Sequence, residues 1–96
     1  MSAVKAAVEL ARPAKFVEDK TVDAANVPAN DVLDVAVTVA GVRSKDFVMV
    51  HAPALEDDLG ISHAWVSANN TVTVRLVNPT GGAVNPASQT WTIVVL

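Results

Sequence analysis

The sequence predicts an all-β fold, a small antiparallel β-sandwich of immunoglobulin-like kind with an N-terminal arm, and three observations carry that prediction. Apolar residues alternate with a period of two in most of the runs from Val32 onward. Those runs are short and are separated by Gly, Pro and Asn turns. No helical stretch is available for the crossovers that a parallel sheet needs. Composition agrees. Of 96 residues, 51% are hydrophobic but only 4% aromatic, and the apolar mass lies in 19 valines and 16 alanines. Valine favours strands because its branched Cβ is stiff and packs well on a pleated surface.

Residues 1–31 are read as an arm or edge element and residues 32–96 as the sandwich, a single domain at this length. From Met1 to Arg12 two templates fit equally: Val4, Ala7, Val8 and Ala11 at helical spacing, or Val4, Ala6, Val8 and Leu10 in strand alternation. Pro13 stops either one, and the stretch to Asp31 reads as linker with one short strand around Lys15 to Val22. Between Val32 and Val39, the residues Leu33, Val35, Val37 and Val39 point one way while Asp34, Ala36 and Thr38 point the other. Asp46 to His51 is apolar on both faces, which predicts a central or doubly covered strand.

Asn69-Asn70, between Ile61–Ala68 and Thr71–Val77, predicts a two-residue type I′ hairpin, since asparagine tolerates positive φ. That turn sets Trp65 across from Val74, Ser67 from Val72 and His63 from Leu76, with Trp65 on the apolar face. After a loop rich in breakers, the strand Gln89–Leu96 alternates Trp91, Ile93 and Val95 against Thr90, Thr92 and Val94. It is expected to be integral to the sheet, with the C-terminus held in place.

Several chemistries are excluded or disfavoured. Without cysteine there are no disulfides, thiolate zinc sites or cysteine nucleophiles. A net charge of -3 argues against gathering nucleic-acid phosphates or an anionic membrane surface. No run has the roughly 18 to 20 apolar residues of a membrane span, and the N-terminus lacks the apolar region of a secretion signal, so a soluble chain not exported by the usual route is expected. His51 and His63 could approach each other, but no carboxylate at ligand spacing joins them, and strand-end packing is the preferred reading. Ser44, Ser62, Ser67 and Ser88 lie in no nucleophile elbow. Glu56-Asp57-Asp58, with Asp46, offers oxygens for calcium, yet lacks the alternate spacing of calcium loops and is read as a solvated loop. Gly81-Gly82 lacks the Lys-Ser/Thr of a phosphate cradle and is read as turn chemistry. Trp65 and Trp91 would stack on sugars if exposed, and both are assigned to the core. No catalytic, cofactor-binding or metal residue is expected, and the chain is not expected to be an enzyme.

The stretch VSANNTVTVRLVNPTGGAVNPASQTWTIVVL, Val66 to Leu96, resembles the C-terminal part of small β-sandwich domains of tailed-bacteriophage virion proteins. VTVAGVRSKDFVMVHAP, Val37 to Pro53, is similar to the strand pair that opens such domains, departing at Lys45 where glycine is expected before the aspartate. The likeness covers about the last two thirds of the chain; residues 1–30 have no counterpart in it. It implies a structural virion component, of capsid decoration (cement) or head-fibre type. At this size, decoration of the capsid exterior is preferred, with the major capsid protein as partner, a homo-oligomer, most simply a trimer, and synthesis in the host cytoplasm. No cofactor and no catalytic residue come with it. In that setting residues 1–31 become a capsid-binding or subunit-clasping arm acting by strand addition. A carbohydrate-binding or adhesion module is the alternative, with the loops around Glu56–Gly60 and Asn78–Asn85 as contacts.

Overall fold

The computed structural model describes residues 15–96. The readings of residues 1–14, helix or strand, lie outside the described residues. Six antiparallel strands form two three-stranded sheets: β1 (Phe16–Val22), β6 (Gln89–Val95) and β3 (Val48–His51) in that spatial order, and β2 (Asp31–Thr38), β5 (Thr71–Asn78) and β4 (Gly60–Ala68) in the other. The chain is an all-β sandwich, as the alternation predicts. Each sheet is hydrophobic on one face and must bury that face against a partner, and two small sheets face to face achieve this.

Alternation decides which residues enter the core. On β6, Trp91, Ile93 and Val95 are completely buried, and so are Val72, Val74 and Leu76 on β5. These two strands are the centres of their sheets, so most of their inward residues have cover on every side. Valine fills most of the remaining interior, with Val27, Val39 and Val42 also fully buried. The part of the 1–31 segment that is described joins the same unit. β1 pairs with β6 along its whole length, from Phe16 opposite Val95 to Val22 opposite Gln89. Val22, Ala24 and Val27 then enter the core.

As an edge strand, β1 carries an unusual pair. Glu18 and Lys20 lie opposite Ile93 and Trp91, on the inward face, and their side chains meet at 3.6 Å. Inward charges make an edge costly to extend by another strand, so they protect this edge from indiscriminate pairing. A cleft of about 310 Å³ between β1 and β2, lined by Lys20, Val22, Val35 and Thr38 among others, lies beside them.

Two expectations are corrected. β3 is short and pairs only with β6, so it is an edge strand rather than a central one. Its outward residues, Phe47 just before it and Met49 within it, are 56% and 46% exposed. The hairpin turn falls at Asn69-Asn70 as expected, yet only Asn70 has positive φ, at 65°. A type I′ turn needs positive φ at both positions, so this is not one. The pairing accordingly slips: Ala68 faces Thr71, but a bulge between Val66 and Ala68 sets Val66 opposite Val72, Trp65 opposite Thr73 and His63 opposite Arg75. A second irregularity between Ile61 and His63 restores Ile61 to Leu76. Each bulge inserts one residue, Ser67 or Ser62, and a one-residue slip reverses the faces between them. Ala64 and Val66 therefore pack on the core, while Trp65 and His63 turn outward.

Asn70 also ties the turn to its neighbour. Its backbone N–H donates to the Val42 carbonyl at 2.8 Å, its carbonyl accepts from Val39, and its side-chain Oδ1 accepts from the Gly41 N–H at 2.9 Å. Gly41 itself has φ of 92°, a conformation open to glycine.

Candidate functional site

The two sheets present different outer faces. Across β2, β5 and β4 one row reads Asp34, Arg75, His63 and the next Ala36, Thr73, Trp65. Arg75 grips Asp34 through two parallel bonds, Nε to Oδ1 at 2.7 Å and Nη2 to Oδ2 at 3.1 Å. That fork holds the Asp34 carboxyl below its usual range and raises Arg75. The same guanidinium lies 5.2 Å from the centre of the Trp65 ring, against which the His63 imidazole stacks at 4.5 Å and 16°. Trp65 stands opposite Thr73, whose hydroxyl donates to Ser67 Oγ at 2.6 Å. The assignment of Trp65 to the core is thus overturned, whereas Trp91 is fully buried as expected. The bulges at Ser62 and Ser67 place the second indole outside.

The outer face of β1, β6 and β3 is graded. One row across it reads Val17, Val94, Met49 and the next Asp19, Thr92, His51. Thr92 donates to Asp19 at 2.7 Å. Beyond the first row, the Leu96 N–H donates to the Phe47 carbonyl at 2.8 Å, which brings those two residues to the same end of the sheet. Val17 is 56% exposed. One end of this face is therefore an uncovered apolar patch of Val17, Val94, Met49, Phe47 and Leu96, and the other end is polar. His51 and His63 stand on opposite outer faces, so the structure does not bring them together.

The acidic residues flagged for calcium are used otherwise. Glu56 accepts the Ala87 N–H at 2.9 Å and the Gln89 amide at 3.3 Å, and Gln89 Oε1 accepts the Trp91 indole N–H at 3.1 Å. Asp46 closes its own turn, accepting the Arg43 N–H and the Lys15 ammonium, each at 2.9 Å. Among the described residues no three His, Asp or Glu side chains converge on a cation position. No described helix is long and apolar enough to cross a membrane. Ser44 and Ser88 lie in loops and Gly81-Gly82 in the turn after β5. The Gly82 carbonyl there accepts from Asn78 and Thr80.

These hydrogen bonds set an acid limit on stability. The Ala87 N–H holds Glu56 below the ordinary carboxylate range, and the Arg43 N–H followed by Lys15 does the same for Asp46. A pKa lower in the folded than in the unfolded chain means stability present at neutral pH and lost as the carboxylates protonate. Denaturation midpoints should fall steadily from about pH 5 to pH 3, and Glu56→Gln should flatten part of that fall. Parallel pH curves for the two proteins would show that Glu56 contributes nothing to it.

Comparison of the chain with protein-family models, with curated proteins and with solved structures gave no match.

Proposed function

We propose that this chain is a structural virion protein of a tailed phage, a capsid decoration (cement) protein that binds and stabilises the assembled head as an oligomer. The observation that carries the reading is the apolar patch on the outer face of β1, β6 and β3. Val17, Phe47 and Met49 stand about half exposed there, with Val17 and Met49 flanking Val94 from either side of β6. Contiguous exposed apolar surface marks a contact with another macromolecule. The likeness of Val37–Pro53 and Val66–Leu96 to phage virion domains supplies the setting. A cement protein works by contact area, and a stable interface takes about 800 Å² from each partner. An oligomer repeats the patch and so multiplies its contact area, a trimer at capsid threefold positions being the simplest.

A second reading, carbohydrate binding, is favoured by one observation. Trp65 lies on the opposite outer face among the hydroxyl and charged groups of Ser67, Thr73, Arg75 and Asp34. Co-sedimentation with assembled heads separates the two. Under the decoration reading Met49→Glu abolishes saturable binding and Trp65→Ala retains it. Under the glycan reading no saturable head binding is seen, and glycan retention is lost with Trp65→Ala alone.

A further inference from the structure

We infer that the outer face of β1, β6 and β3 stacks on the same face of a second copy, about a two-fold axis along β6, with Asp19 of each copy against the partner's His51. The inference rests on the reading above only in taking this face as a contact. The contact is two-fold, so it adds to the trimer of that reading rather than forming it.

The face is matched to itself row by row. β6 is the middle strand, with β1 on one side and β3 on the other. An axis in the plane of contact and parallel to β6 exchanges left with right and keeps every row at its own level. It lays β1 over the partner's β3 and β6 over the partner's β6. Val17 then meets the partner's Met49, Val94 meets the partner's Val94, and Thr92 meets the partner's Thr92. Val17 and Met49, about half exposed in a single copy, are covered by each other. Two sheets stacked about 10 Å apart with their strands nearly aligned are an ordinary way to bury such rows.

The charges obey the same axis. Asp19 and His51 are the titratable side chains that these three strands direct to this face. They share one row at opposite edges, separated by Thr92 and two strand spacings, about 10 Å. The axis that matches Val17 with Met49 sets each Asp19 over the partner's His51, so the contact forms twice. An imidazole N–H can donate to a carboxylate whether or not the ring is charged. Asp19 takes one bond from the Thr92 hydroxyl at 2.7 Å and has lone pairs left for a second donor. An axis running across the strands through the Val17–Val94–Met49 row does worse. It sets the Asp19–His51 row against the partner's Leu96 and Phe47, which leaves a carboxylate facing apolar groups. The Lys15–Asp46 ion pair at the apolar end is closed within one copy at 2.9 Å.

Sedimentation equilibrium of full-length chains without heads tests the pairing. The wild type should dimerise reversibly. Asp19→Lys and His51→Asp should each weaken the dimer by about tenfold or more, since the first sets lysine against histidine and the second aspartate against aspartate at both contacts. Mixed in equal amounts, the two variants should form a hybrid dimer of near wild-type affinity. The introduced lysine then meets the introduced aspartate, while a native Asp19–His51 contact closes the other side. Asp57→Lys makes the same charge change in an exposed loop and should not restore the His51→Asp chain. Asp19 and His51 are exposed on edge strands, so circular dichroism should be unchanged in every variant. A wild type that stays monomeric at millimolar concentration would give the face to the capsid or to another segment of the chain and overturn the inference. Single variants with wild-type affinity, or a mixture no tighter than either variant alone, would overturn it too. A hybrid dimer from a chain that binds no heads would uphold this inference while refuting the decoration reading.

Discussion

Trp91→Ala should cost about 3–5 kcal/mol, the range for removing a large aromatic from a core. Trp91 has no exposed surface, sits on the central strand of its sheet and is the largest of the fully buried side chains. The buried core it belongs to is mostly valine, whose short, stiff side chains have little freedom to move in and fill the space. The indole N–H also anchors Gln89, and through it the acidic loop at Glu56, so truncation releases a surface loop as well as opening a cavity. Total stabilities of small domains run about 5–15 kcal/mol, and a loss of this size would leave the variant barely folded. Urea denaturation followed by circular dichroism measures it. A loss below about 1 kcal/mol would mean that the core around β6 is not packed as described.

Asn78→Ala should cost about 2–4 kcal/mol, for a different reason. Asn78 is a fully buried polar side chain with every hydrogen-bonding position used. Its amide nitrogen donates to the Val27 carbonyl at 3.1 Å and to the Gly82 carbonyl at 2.9 Å. Its oxygen accepts the Thr80 N–H at 3.0 Å and the Thr80 hydroxyl at 2.7 Å. Removing the side chain takes one of two donors from the buried Val27 carbonyl, ends the Asn78 bonds to Gly82 and Thr80, and loosens the loop that the Val27–Val84 bridge holds beside it. Asn78→Asp is the sharper variant, because a carboxylate keeps the size and the acceptors but cannot donate. It should be destabilised at least as much as Asn78→Ala at pH 7. Amide exchange of Val84, whose N–H donates to the Val27 carbonyl at 3.0 Å, should accelerate in both variants. An unchanged exchange rate there would contradict the account of this loop.

Much of this architecture is legible in the sequence where alternation is strict and one-sided. Leu33 to Val39 and Trp91 to Val95 could be assigned to an inner face because the other choice would bury Asp34, Thr38, Thr90 and Thr92. The segment SHAWVS, Ser62 to Ser67, is different. Ala64 and Val66 fit the core as well as Trp65 does, and bulk alone favours the tryptophan. Two bulges in the pairing with β5 settle the matter, and that pairing is not legible in the segment itself. Phe47 to Val50, apolar on both faces, reads as a covered strand, and the structure leaves the outer half uncovered within one chain. That pattern was the sequence's trace of the patch on which assembly is argued. The roles of Asn78 and Glu56 were hidden because their partners lie 51 and 31 residues away in the chain.

The central claim is that the Val17–Val94–Met49 end of the outer β1-β6-β3 face works as a buried contact in the assembled particle. A cryo-electron microscopy map of the decorated head, with this chain traced, tests it most directly. The account predicts that Val17, Phe47 and Met49 are turned into a contact with a neighbouring copy or with the capsid, while Trp65 stays outside that contact. A map in which the chain is present and this apolar end faces open solvent would contradict it.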